Sequence, residues 1–194
     1  MFITFEGLDG VGKTTQAKRL AEYFSSKGKA VILTREPGGT DFGNKIREFL
    51  LSGSGVQQAM SEYLLFLAAR LEHVEALIKP SLNVGKIVIC DRFQDSSLVY
   101  QGILKGLDLD QMDKLYTAVL SNFKPNVTIL MDMKPETAIS RLNLRAEDSN
   151  HYDKMELKSR NKVRLGFLKI AEREAKRYHT IDASQSEDLV FNEI

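Results

Sequence analysis

The stretch EGLDGVGKTT, Glu6 to Thr15, constrains this chain more than any other. It lies between the apolar run FITFE (2–6) and the helical pattern TTQAKRLAEYFSSK. Gly7-x4-Gly12-Lys13-Thr14 is a full phosphate-loop pattern, and a strand before with a helix after is the context that gives it meaning. Its glycines let backbone N–H groups converge on phosphate oxygens, and the following helix N-terminus adds a favourable dipole. The segment Gly7, Leu8, Asp9, Gly10, Val11, Gly12, Lys13, Thr14, Thr15 is therefore expected to cradle a polyphosphate. Lys13 is expected to reach the β and γ phosphates, and the Thr14 hydroxyl to hold Mg²⁺. Asp9 is the anomaly, a carboxylate inside a loop built for anions.

A buried strand leading into such a loop needs partners. AVILT (30–34), KIVICD (86–91), VTILMDM (127–133) and HTIDA (179–183) supply them. These runs are nearly continuous in apolar character, which suits strands covered on both faces of a parallel sheet. Helical patterns fall between them. TDFGNKIREFLL has Asp41 as its expected cap, SEYLLFLAARLEHVEALIK is expected to end at Pro80, and DLDQMDKLYTAVLSNF starts at an Asp cap. PETAISRLNLR opens on a first-turn proline, and MELKSRNKVRLGFLKIAEREAKRY is long and charged. The alternation predicts an α/β chain with a P-loop NTPase fold, a five-stranded parallel sheet flanked by helices on both faces. At 194 residues the chain reads as one domain, 1–194, with a polar flap over about 141–156 and a short final helix.

Composition narrows the partners. Net charge is +1, so no nucleic acid and no membrane surface is expected. Cys90 is the one cysteine, which rules out an internal disulfide and fits a cytoplasmic setting. No apolar run approaches a membrane span, and Met1 leads into a strand rather than a signal peptide. His73, His151 and His179 lack metal-ligand spacing and read as surface or edge positions. Asp132, ending the fourth strand, has either a structural or a metal-shell role. The basic run from Lys154 to Arg177 is interleaved with Glu156, Glu172 and Glu174 and reads as a solvated helix.

A switch GTPase would need Asn-Lys-x-Asp, but the nearest match is Asn161-Lys162-Val163-Arg164. Asp91-Arg92-Phe93-Gln94 stands where its Asp-x-x-Gly would follow the third strand. Arginines at strand ends suggest a kinase for a small acceptor instead. In doubly wound sheets ligands collect at the C-terminal ends of strands, where Arg35 follows AVILT and Arg92 follows KIVICD. Both can grip an acceptor phosphate. Phe66 and Arg70 share a helix face, so Phe66 can stack on a planar base while Arg70 bonds its edge. A phosphate end and a ring end describe a nucleoside monophosphate. A kinase for another nucleoside or nucleoside monophosphate is the alternative, and a slow nucleotide-dependent regulator a third.

EGLDGVGKTT, TREPGGT, FLAAR, DRF, SSLVYQG and TIDA occur in the order and approximate spacing of thymidylate kinase, and the chain resembles that family over nearly its whole length. The resemblance implies transfer of the γ-phosphoryl of Mg-ATP to dTMP, giving dTDP and ADP, usually by a homodimer. It implies that Asp9 faces the acceptor and metal, that Arg35 and Arg92 orient the acceptor phosphate, and that Asp91 joins Thr14 in the Mg²⁺ shell. It places Phe66 and Arg70 on thymine, Ser97 and Gln101 beside base and sugar, and Tyr100 against the sugar's 2′ carbon. Ala183 to Gln185 match the turn beside adenine. Some family members carry a catalytic arginine in the phosphate loop, where this chain has Gly10 and Val11. The other branch uses flap arginines, which implies Arg141 at ATP and Arg145 as the catalytic cation. The branch's Asp-Arg-x-Glu reads Asp153-Lys154-Met155-Glu156 here, so Lys154 competes with Arg145 for that role.

Overall fold

The computed structural model describes residues 1–52, 56–144 and 155–194. Five strands form one parallel sheet: β1 (Phe2–Glu6), β2 (Val31–Arg35), β3 (Ile87–Asp91), β4 (Val127–Asp132) and β5 (Tyr178–Asp182). Their spatial order is β2-β3-β1-β4-β5. The connections reverse direction at β1, so the crevice beyond its C-terminal end is the expected ligand site.

Alternate residues of the inner strands serve opposite faces, as the two-residue period of a strand requires. Phe2, Val88 and Cys90 enter one core with Tyr63, Leu67, Ile78 and Met112. Ile3, Phe5 and Ile89 enter the other with Ala17, Leu20, Phe167 and Val190. Helices α3 (Ala59–His73), α4 (Lys79–Asn83) and α6 (Leu109–Leu120) cover the first face. Helices α1 (Lys13–Ser26), α8 (Leu157–Arg173) and α9 (Glu187–Glu193) cover the second. Helices α2 (Asp41–Leu51), α5 (Gln94–Ser97) and α7 (Pro135–Asn143) line the C-terminal edge of the sheet. Among the described residues no helix is long and apolar enough to cross a membrane.

The structure corrects several local expectations. The cap of α2 is Thr40, whose hydroxyl accepts from Gly43 N at 3.0 Å, and Asp41 occupies the first turn. Pro80 does not end its helix. A π-helical segment, Val74–Ile78, joins α3 to α4, and its wider turn accommodates a proline that has no N–H to donate. A second π-helical segment, Leu98–Leu104, extends α5 where no helix was expected. His73 is fully buried rather than at the surface. Asp132 pairs with Arg164 through two bonds of 2.7 Å, a structural ion pair.

Candidate active site

The phosphate loop folds as its glycines allow. Gly10 and Gly12 adopt φ of +89° and +93°, and a Cβ on Gly10 would lie 2.5 Å from the Ala138 carbonyl oxygen. Lys13 is buried, and its Nζ donates to Leu8 O at 2.6 Å. Thr14 donates its hydroxyl to Asp91 Oδ2. The other oxygen of Asp91 is buried with no hydrogen-bond partner among the described residues. A carboxylate oxygen left bare beside a threonine hydroxyl fits a Mg²⁺ shell, because a cation or its water would satisfy it.

Arg92 connects this loop to the acceptor side. It stands in the left-handed region at φ 70°, a conformation that persists in a non-glycine residue only where the surroundings over-determine it. Its N–H bonds Phe5 O at 2.9 Å. Its guanidinium reaches Gly7 O and Ser96 Oγ at 3.0 Å each, and Asp9 Oδ1 at 2.5 Å. Burial opposes its charge, but Asp9, Tyr100, Asp91 and Glu6 together outweigh burial and raise its pKa. Asp9 also accepts from the Tyr100 hydroxyl at 3.3 Å and lies 3.9 Å from Lys13 Nζ. Burial disfavours the Asp9 carboxylate, yet Arg92 and then Lys13 hold its pKa well below the usual range. Burial, followed by Arg92, brings Lys13 down to about 8.

Glu6, fully buried at the end of β1, anchors Arg92 from behind. Its carboxyl group accepts from Phe93 N at 2.8 Å, Ser96 N at 3.3 Å and the Ser96 hydroxyl at 2.6 Å. Burial, then the neighbouring Asp95, pushes Glu6 up to about 7. Asp95 itself is tied to Arg177 by bonds of 2.7 and 2.8 Å.

Two cavities meet at Arg92. The larger cleft holds Lys13, Thr14, Asp91 and Arg35. The smaller chamber holds Phe66, Arg70, Ser97, Tyr100 and Gln101. Asp9, Arg47 and Arg92 line both. Arg35 is exposed in the cleft and has no hydrogen-bonding partner among the described residues. Arg47, which nothing in the sequence singled out, donates to Pro37 O at 3.1 Å. Burial, then repulsion from Arg35, lowers its pKa. Cations that repel one another across an open cleft form a site for an anion.

Arg70 forms the floor of the chamber and is almost fully buried. It donates to Glu36 Oε2 and Gln94 Oε1 at 2.6 Å each, Ser97 Oγ at 3.1 Å and Phe93 O at 3.2 Å. Glu36 is braced in turn by His73 Nδ1 at 3.0 Å, and His73 Nε2 meets Thr34 Oγ1 at 2.8 Å. Ser97 therefore serves Arg70 as well as lining the chamber. Glu36, Gln94 and His73 were missed as site residues, although Glu36 sits inside TREPGGT.

Arg141 does not line the cleft. It donates to the carbonyls of Ala183 at 2.9 Å and of Ser184 and Gln185 at 3.3 Å each, the turn expected beside adenine. Arg145 and Lys154 lie outside the described residues.

Comparison with known proteins agrees with this geometry. A family model described as thymidylate kinase matches residues 5–194. The thymidylate kinase of Mesoplasma florum is 43% identical over 194 residues, 100% of this chain and 92% of the relative. That of Bacillus velezensis is 40% identical over 197 residues, again covering 100% and 92%. The crystal structure of thymidylate kinase from Ehrlichia chaffeensis superimposes with a TM-score of 0.77 at 40% identity, covering 100% of this chain and 94% of that one. A phosphate loop, a cationic cleft and a ring chamber, carried on a sheet that the family model spans almost end to end, make this chain a member of the thymidylate kinase family.

Proposed function

We propose that this protein transfers the γ-phosphoryl of Mg-ATP to dTMP, giving dTDP and ADP. The observation that carries this reading is the continuity between a cleft containing Lys13, Arg35, Arg47 and Arg92 and a chamber containing Phe66 and Arg70. In this reading ATP lays its phosphates along Gly7–Thr15, with Lys13 on the β and γ groups. The acceptor phosphate lies among Arg35, Arg47 and Arg92, which screen its repulsion from ATP. Its thymine stacks on Phe66 with one carbonyl against Arg70, and Tyr100 crowds a ribose 2′-hydroxyl. Thr14 and Asp91 are the residues to hold Mg²⁺, which when bound neutralises charge on the β and γ oxygens. The chemistry asks mainly for positioning and charge neutralisation, so no nucleophilic side chain is required.

The remaining cation is expected from the segment 141–156, most of which lies outside the described residues. Arg145 is our candidate. Arg145→Ala is expected to lower kcat by about 10³-fold or more, with little change in KM for dTMP. Unimpaired turnover in that variant, with the loss appearing in Lys154→Ala instead, would assign the role to Lys154. We further propose a cytoplasmic homodimer that uses Phe42 and Phe49 of α2 and Leu64 and Leu71 of α3, all large apolar side chains left exposed. A coupled ADP-release assay across dTMP, dUMP, UMP, CMP and AMP tests the central reading. Absence of acceptor-dependent turnover refutes a kinase, and preference for AMP refutes the thymidylate assignment.

A further inference from the structure

Gln101 lies on the Leu98–Leu104 segment and lines the chamber beside Phe66 and Arg70. The two ends of a glutamine amide are nearly identical in shape and opposite in hydrogen bonding, so its neighbours decide which end faces a ligand. Here the neighbour is Glu62 on α3, buried at 4% exposure. Gln101 Nε2 donates to Glu62 Oε1 at 2.9 Å. The other Glu62 oxygen takes Lys105 Nζ in an ion pair. A carboxylate has no proton to give. It accepts only, so the Gln101 amide must turn its NH₂ toward Glu62, which leaves its oxygen for the chamber.

Arg70 supplies the opposite polarity. A guanidinium offers five N–H groups and no acceptor. The bonds to Glu36, Gln94, Phe93 and Ser97 use four of them among the described residues and leave one on Nη1. The chamber thus presents a donor from Arg70 and an acceptor from Gln101 to the edge of a ring stacked on Phe66. A 4-oxo pyrimidine, with its carbonyl beside a ring N3–H, complements that pair. A 4-amino pyrimidine presents the inverse, an amino donor beside a bare ring nitrogen, and sets donor against donor and lone pair against lone pair.

We infer that Glu62, which touches no substrate, is the positioning residue that sets base specificity by locking the Gln101 amide with its oxygen toward the base. The inference rests on the placement of the base in the Phe66–Arg70 chamber.

Glu62→Gln is nearly isosteric and can show Gln101 either a carbonyl or an NH₂, so it releases the lock. The readout is the ratio of kcat/KM for dUMP to that for dCMP, two acceptors with the same sugar and phosphate that differ at this edge. A mispaired base edge is typically worth 10-fold or more, so the ratio is expected to fall at least about tenfold. A purely structural defect lowers both substrates together and leaves the ratio unmoved. Glu62→Asp, still acceptor-only, is expected to keep the ratio within about threefold. An unchanged ratio in Glu62→Gln overturns the inference. Should that variant fail to fold, NMR of the unsubstituted enzyme with dTMP decides. The Gln101 side-chain amide protons are expected to show NOEs to Glu62 and Lys105, and NOEs to the thymine ring instead overturn the lock. Phe66→Ala separates the two levels, because an unaltered KM for dTMP in that variant refutes the placement of the base rather than the lock.

Discussion

Glu6 is a carboxyl that the fold prefers to keep protonated, and this has a measurable consequence. It lies at 0% exposure beneath Arg92, and burial together with Asp95 raises its pKa from 4.5 to about 7. Between those values the folded protein holds a proton that the unfolded chain has released, so native stability must fall as pH rises through that window. At 1.36 kcal/mol per pH unit, the loss attributable to this one group between pH 5 and pH 8 is about 2–3 kcal/mol. Glu6→Gln removes the titration and keeps the shape. Its carbonyl can still accept from Phe93 N and Ser96 N, and its amide can donate to Ser96 Oγ. Urea unfolding of both proteins at half-unit intervals from pH 5 to 8 provides the assay. The stability of Glu6→Gln relative to the unsubstituted protein is expected to rise by about 2–3 kcal/mol across the range. Titrating groups that do not interact with Glu6 cancel in that difference. Asp95→Asn, which removes the second cause of the shift, should shrink it. Curves that run parallel within about 0.5 kcal/mol would refute the reasoning and show that the donors from Phe93 and Ser96 keep Glu6 ionised.

Lys13, brought down to about 8, is expected to regain its proton when ATP phosphates arrive, taking up about half a proton per ATP at pH 8. Calorimetric binding enthalpies that do not vary with buffer ionisation would contradict this. Arg70→Lys replaces a fork of four bonds by one ammonium and strands Glu36 in the core, so a loss of about 3–5 kcal/mol is expected in denaturant unfolding. Gly39→Ala requires φ of +81° from alanine and drives its Cβ into the His73 ring, for a loss of about 2 kcal/mol or more in stability, read as a lowered Tm.

Local patterns carried much of this structure into the sequence. All five strands were legible to within a residue, because each is a short apolar run between turn signals. The pairing of Phe66 with Arg70 was legible because four residues on a helix is a spatial rule as well as a sequence one. The braces were not. His73 sits in a charged helical stretch, ARLEH, and looks like its neighbours, but its partners Thr34 and Glu36 arrive from 39 and 37 residues away. Glu36 was visible inside TREPGGT without a role, since a carboxylate's role is set by the cation it meets. Helix 94–104 was hidden for another reason. Its turns are partly π-helical, so its apolar residues follow no α-helical period.

Asp9 shows how the two kinds of information combine. The sequence marked it as out of place among groups meant for phosphate, and the resemblance turned it toward acceptor and metal. The structure adds which groups of the protein it meets. Lys13 and Arg92 have to converge if two phosphates are to be brought together, and they repel, which adds to burial in lowering the pKa of Lys13. Asp9 lies 2.5 Å from one and 3.9 Å from the other, and keeps its charge because both cations face it. It thereby holds the cleft in the geometry that an anionic substrate needs, which is pre-organisation in the electrostatic sense. The strained backbone of Arg92 fits the same account. The left-handed turn is maintained by bonds that Arg92 donates to Phe5 O, Gly7 O, Ser96 Oγ and Asp9 Oδ1, all within the protein, so folding itself supplies the order of this arginine.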